Sequence, residues 1–377
     1  MIAKSFALKK MHSESDWMVK NHEEKPQTFD DFLVGGDNWK INQVFISCIW
    51  SKDLEDQDQR RELRDNLTKR LKQWIKIFFK GISIKKFDMK SKVQNMEQLS
   101  DAKIVTTRVR EDTGLIQYNA SQIFEYIEGI HKLKANQSAI ILTDVDLYPR
   151  AGWSYVFGST KVKSRICLIS IARHDPEFPN IKLKPLDQKT IMYRAIKTAT
   201  HEFCHALGIH HCKYYECLMN GSNKIDEADR KPFLLCPICT RKQRTYLRIE
   251  DNIIQHFEEV SNFMESKLSD MLLNEVEIYS KMIQDMRNFD SDDRYNTSLQ
   301  LVNAPDLHNY TNDNDRTSFD AGEYTNRTIN TEDNEKGQTQ QHMRTQELNQ
   351  QEQPQKRPQL TCMSRFCLLV RSFAKQK

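Results

Sequence analysis

Apolar positions follow two rhythms along the first two thirds of the chain. Residues 41–50 (INQVFISCIW) form a dense apolar run and read as a strand. Residues 54–79 instead space Leu63, Leu67, Leu71, Ile75 and Phe78 at steps of four and three, the mark of an amphipathic helix. Gly81 ends that helix, and 82–89 returns to a strand pattern. A further strand is expected at 103–109, a helix at 121–133, and strands at 139–145 and 164–171, the last containing RICLISI. Residues 155–158 are expected as a short edge strand between those two. Asp187 is placed to cap a helix over 188–207, and two amphipathic helical segments are expected within 246–286. Strand and helix in alternation predict an α/β (α+β) fold built on a sheet.

The rhythm fails near Asn288. From there the chain runs through Asn, Asp, Gln, Thr and Glu with scattered apolar residues until Leu360, too few to offset the entropy of ordering it. A mean hydropathy of −0.71 and 38% apolar residues over 377 positions agree with an ordered part carrying a polar tail. The net charge of +4 is small against 56 basic and 52 acidic residues, so charge alone makes no case for nucleic acid. The Lys-rich strip 69–92 reads as a solvated face. No apolar run reaches the roughly 18 residues of a membrane span. Residues 1–11 lack the apolar region and cleavage site of a signal peptide, so an intracellular protein, cytoplasmic or nuclear, is expected. In a reducing compartment cysteines serve metals more often than disulfides. Five of the nine cysteines lie between His201 and Cys239, with four of the eleven histidines.

The stretch His201-Glu-Phe-Cys-His205-Ala-Leu-Gly208-Ile-His-His211 concentrates the candidate chemistry. His201 and His205, four apart on a helix, share one face and can bind one metal. They fall opposite the stripe Met192, Ile196, Ala199, Phe203 and Leu207, where a core histidine would not sit. Glu202 lies about 100° round the helix, beside the pair, within reach of a metal-activated water as general base. Gly208 can turn the chain with positive φ, and His211 can return as third ligand, leaving one position open as a catalytic zinc requires. His210 is the alternative third ligand, and Cys204 reads as a small packing residue. Cys212 and Cys217, then Cys236 and Cys239, form two close pairs separated by a loop, the pattern of a structural zinc site. Because neighbours in an extended segment point opposite ways, His211 and Cys212 can each face a different metal.

In these residues the chain resembles the archaemetzincins, whose pattern is HExxHxxGxxHC, four residues, CxM, then CxxC. Here it reads His201 to Cys212, Cys217-Leu-Met219 and Cys236 to Cys239. The likeness extends to Asp146-Leu-Tyr-Pro-Arg150, Trp153, Phe157-Gly158, Asn220-Gly-Ser-Asn to Ala228-Asp-Arg, and His12-Ser-Glu-Ser-Asp-Trp17, about residues 12 to 260. Position 210 is His where related chains often carry Arg. The resemblance implies a metzincin-like mixed, mainly parallel sheet with an edge strand over the cleft and the active-site helix behind it. It also implies that Met219 is the Met-turn residue beneath the zinc.

These readings predict a zinc metallopeptidase with two zinc ions per chain, one catalytic and one structural, acting on a peptide or protein substrate. Tyr148 and Tyr214 are candidates to stabilise an oxyanion, and 155–158 can pair with an extended substrate. The alternatives are a zinc-stabilised binding module without catalysis, and a nucleic-acid binder using the basic stretch 241–248. The expected division is an N-terminal extension at 1–40, a catalytic domain at 41–247 with its cysteine site at 212–239, a helical segment at 248–290, and a disordered tail at 291–377. The basic and apolar end around Cys362 and Cys367 is a candidate acylated contact.

Overall fold

The apolar runs form strands buried on both faces, and the helical stripes lie across them. A computed structural model describes residues 8–9, 16–35, 41–52, 57–85, 87, 89, 92–179, 187–291 and 324–325. Its elements in chain order are α1 (Trp17–Lys20), α2 (Phe29–Gly35), β1 (Gln43–Cys48), α3 (Gln57–Phe78), β2 (Ser83–Lys85), α4 (Met96–Asp101), β3 (Thr107–Val109), β4 (Ile116–Asn119), α5 (Ala120–Ile130), β5 (Gln137–Thr143), β6 (Asp146–Tyr148), β7 (Gly158–Lys161), β8 (Ile166–Ser170), α6 (Gln188–Ala206), α7 (Ile225–Arg230), α8 (Pro237–Leu247), α9 (Ile253–Ser291) and β9 (Tyr324–Thr325).

The main sheet has the order β2-β1-β5-β8-β7-β9. Its first four strands are mutually parallel, and β7 runs antiparallel to both β8 and β9. A second sheet, β3-β4-β6, sits beside it. Alternation along each strand divides the core in two. Ile140 and Leu142 of β5, with Cys167 and Ile169 of β8, face α3 and α6. Ala139 and Ile141, with Ile166 and Leu168, face α4 and α5. Continuous apolar runs are what a parallel sheet covered on both faces requires. The α3 stripe Leu63, Leu67, Leu71, Ile75 and Phe78 is buried in the first core, and Trp74 Nε1 donates to Thr200 Oγ1 of α6 at 2.9 Å.

The structure departs from the sequence reading in four places. The strand expected at 155–158 is instead Gly158–Lys161, and β9 lies outside it in the sheet; Val156 makes only an isolated bridge to Leu147. The strand's residues GSTK look like a loop, but Ser159 and Thr160 are buried, and the Thr160 hydroxyl meets Glu202. The two helical segments expected within 246–286 are instead the end of α8 and a single continuous α9. No Gly or Pro interrupts 253–291, whereas Arg248, in the left-handed conformation, stops α8. Residues 16–35, within the expected N-terminal extension, pack into the rest of the fold: Trp17 and Phe32 are buried, and Trp17 N donates to Glu227 Oε1 at 2.6 Å. Within the expected tail, Tyr324–Thr325 pairs with Thr160 and Ser159 of β7; the remainder, including Cys362 and Cys367, lies outside the described residues. Among the described residues no helix is long and apolar enough to cross a membrane.

Candidate metal centre

Helix α6 begins where Asp187 Oδ1 accepts from Thr190 N at 3.0 Å. It ends in a Schellman turn: Gly208 N donates to His205 O at 2.9 Å and Ile209 N to Cys204 O at 3.0 Å, with Gly208 at φ 80°. That left-handed residue reverses the chain and brings His211 back over the last turn of the helix. One ring nitrogen from each of His201, His205 and His211 lies within 4.8 Å of the other two, and all three rings are buried.

The hydrogen bonds behind the rings determine their tautomers. His201 Nδ1 is 2.9 Å from Leu218 O, and His205 Nδ1 is 2.7 Å from Ile209 O. A carbonyl oxygen only accepts, so each Nδ1 carries the proton. His211 Nδ1 donates to the Glu24 carboxylate at 3.0 Å in the same way. The three Nε2 atoms therefore present lone pairs, and those of His201 and His205 face each other at 3.1 Å. Burial holds both rings well below the usual imidazole range, so a proton does not fill the gap. Tetrahedral ligation with Zn–N of about 2.0–2.1 Å needs nitrogens about 3.3 Å apart, and this donor set fits such an ion.

Glu202 points from the adjacent face of α6 toward β7. Thr160 Oγ1 lies 2.8 Å from its Oε2 and 2.9 Å from its backbone oxygen. A Cβ at position 158 would stand 2.8 Å from Glu202 Cγ, so only glycine lets the strand run this close to the carboxylate. Burial raises the Glu202 carboxyl to about 8, against the pull of Thr160 and of Lys231. His210 is not in the histidine group: its backbone N donates to Gln27 Oε1, and burial pushes its ring down to about 4. Tyr148 hydrogen-bonds Thr106 at 3.3 Å in the second sheet. Cys204 is buried in the main core, as is Met219.

Immediately after His211, Cys212 turns the other way. Its sulfur lies within 4.8 Å of those of Cys217, Cys236 and Cys239, and 3.7 Å from Cys236 Sγ. Sulfurs around a tetrahedral zinc at about 2.3 Å stand about 3.8 Å apart, so this donor set fits as well. Backbone N–H groups of Met219 and Cys236 donate to Cys217 Sγ. The neighbouring sulfurs draw Cys212 far below the usual thiol range, while burial pushes Cys236 far above it. Thiols this close cannot all ionise without a cation among them.

Several contributors were not foreseen. Glu24, Gln27 and Trp17 come from the N-terminal segment. Gln27 Nε2 donates to Gly208 O, Lys213 bonds Glu24 O, and the Trp17 ring lies 4.5 Å from that of His211. One rule pointed toward Glu24: a ligating histidine needs an acceptor behind it, and the motif itself supplies none for His211. Thr160 left no signal in sequence. The basic stretch 241–248 is largely used inside the fold. Lys242 and Arg244 are buried, Lys242 donating to Gln27 O at 2.6 Å and Arg244 to the carbonyls of Ile249 and Asp251.

Comparison with known proteins places this geometry. The family described as Peptidase family M54 matches residues 80–245. Archaemetzincin-2 of Macaca fascicularis is 30% identical over 262 residues, which cover 62% of this chain and 68% of that one. Archaemetzincin-2 of Mus musculus is 29% identical over 282 residues, covering 68% and 74%. The crystal structure of archaemetzincin from Methanopyrus kandleri superposes with a TM-score of 0.40 at 21% identity, covering 56% of this chain and 98% of that one. With its identity to the macaque protein and its matched peptidase region, the chain belongs to the archaemetzincins, a zinc metallopeptidase family.

Proposed function

We propose that this chain hydrolyses peptide bonds at a zinc ion held by His201, His205 and His211, with Glu202 as general base and a second, structural zinc held by Cys212, Cys217, Cys236 and Cys239. The observation that carries this reading is the fixed tautomer of all three rings, which converges their lone pairs beside a buried carboxylate. Zinc in such a site supplies a Lewis acid that acidifies water and polarises the scissile carbonyl. Glu202 accepts the proton of the attacking water and passes it to the departing amine. Thr160 holds the carboxylate toward β7, and β7 offers backbone groups to an extended peptide. β9 pairs with the outer side of this strand at Ser159 and Thr160, so a peptide seated there takes the place of β9. Met219 follows Leu218, whose carbonyl holds His201, and takes the role of the Met-turn residue; the unit that does this work spans the N-terminal segment as well as 41–247.

The test is metal removal. Protein as purified should carry two zinc ions per chain and cleave an unbiased peptide mixture. A strong chelator should abolish cleavage and added zinc should restore it. Cleavage that survives after the metal has been shown to be gone would refute the reading. So would a single zinc with four freely reactive cysteines. A finer expectation concerns Glu24. Replacing the acceptor behind a ligating histidine typically costs 10–100-fold in metal affinity. Glu24→Gln should therefore weaken zinc at the histidine group by about that factor in competition with a chromophoric chelator, with the cysteine zinc retained. Unchanged affinity would show that the His211–Glu24 contact is idle.

A further inference from the structure

A small cavity lies against His201, walled by Phe157 before β7, Thr198 on α6, and Ser222 and Lys231 on either side of α7. Its free space of about 10 Å³ admits the centre of a single water, the place that one carboxylate oxygen would take. The charge around it is one-sided. Arg194, Lys197 and Lys231 line it against one carboxylate, Asp229, and Arg194 already holds Asp229 in a two-pronged pair at 2.6 and 3.0 Å. Lys197 is used locally, 3.1 Å from Tyr193 Oη and 3.2 Å from the Asp229 carbonyl.

Lys231 is different. It is 6% exposed, and among the described residues its ammonium meets one acceptor, Ser222 Oγ at 3.3 Å, although it has three protons to donate. Glu202, Glu227 and Cys217 attract it through space only. Glu202 is engaged by Thr160, and Glu227 by the backbone N–H groups of Trp17 and Asn223. A buried ammonium hydrogen-bonded to no anion is expensive, and it pulls hardest on one that arrives from outside. Burial pushes Lys231 down to about 8, a penalty that an arriving carboxylate reverses.

We propose that Lys231, assisted by Ser222, forms a subsite for a carboxylate on the substrate residue flanking the scissile bond, so that the site selects acidic positions. This rests on the reading of the histidine group as the catalytic centre, since the cavity is placed by its contact with His201. The carboxylate has two sources, an Asp or Glu side chain or the C-terminus of a peptide, and both present the same group to Lys231.

The test measures binding. Zinc-loaded, full-length Glu202→Gln protein is titrated calorimetrically with peptides that differ only by Asp or Glu against Asn or Gln at each position in turn, and with peptide acids against their amides. At one position the acid should bind at least about tenfold more tightly than its amide. Adding Lys231→Met should bring that ratio near one, and Lys231→Arg should restore it. A preference confined to free C-termini would assign the carboxylate to the chain end, and one confined to internal positions to a side chain. Equal binding of acid and amide everywhere, or a preference that survives Lys231→Met, would overturn the proposal. If Lys231→Met does not fold, the acid-to-amide ratio in the parent protein decides. Acid-selective binding without cleavage by wild type would sink the hydrolytic reading alone, whereas cleavage with no acid preference would sink the subsite alone.

Discussion

Replacing Glu202 with Gln is expected to slow peptide hydrolysis by about 10²–10⁴-fold, the usual contribution of a positioned general acid–base group. Zinc content and melting temperature should stay near their original values. Gln is the right probe because the space is tight: Gly158 leaves no room beside Glu202 Cγ, so a substitute must keep the side chain's shape. Its carboxamide oxygen can still accept from Thr160, which keeps β7 and α6 together. What it cannot do is take a proton from water. A variant that cleaves as fast as the parent would remove Glu202 from the chemistry. One that loses zinc from the histidine group would show that the carboxylate supports the metal rather than the water.

Cys236→Ser is expected to empty both metal sites, although Cys236 lies 25 residues beyond His211. Structural zinc contributes about 10–16 kcal/mol of apparent binding free energy in small zinc peptides. A typical domain is stable by only about 5–15 kcal/mol, so even part of that loss reshapes the loops concerned. Those loops reach the histidines twice. His211 and Cys212 are neighbours with Cα atoms about 3.8 Å apart. Leu218, next to Cys217, supplies the carbonyl that fixes the tautomer of His201. The segment between is cross-tied by Cys212 N to Met219 O at 2.8 Å and Asn220 Nδ2 to Cys212 O at 2.6 Å. His201→Ala should act in one direction only, emptying the histidine group while the four sulfurs keep their ion. Metal analysis after dialysis against a mild chelator separates the cases. A Cys236→Ser protein with its histidine zinc intact, beside a His201→Ala protein that has lost both ions, would reverse the direction of support proposed here.

Local spacing explains which features were legible from the chain alone. His201 and His205 share a helix face because a helix turns every 3.6 residues, and Gly208 marks the reversal because few other residues accept its backbone angle. The stripe on α3 and the two-faced runs of β5 and β8 follow from the same periodicities. β7 was displaced by three residues because Gly-Ser-Thr-Lys has no apolar alternation to read; its pairing is stabilised by neighbours and by the Thr160 contact with Glu202. The merging of two expected helices into α9 has a similar cause, since only an interrupting residue or a left-handed cap can end a helix and 253–291 contains neither.

By itself the sequence determined the identities and local order of the candidate site residues: three histidines around a turn, four thiols in two pairs, and a carboxylate one step from the first histidine. The tertiary structure decided what stands behind them. Glu24 meets His211 across 187 residues of chain, Thr160 meets Glu202 across 42, and Leu218 O meets His201 Nδ1 across 17. Lys197, midway along α6, and Lys231, just past the end of α7, come to one cavity beside His201. Ligand positions within one turn of helix follow from backbone geometry, whereas the partners that set proton positions and charge depend on loops closing over long distances. No periodicity encodes those closures; they follow from burying both faces of the sheet at once.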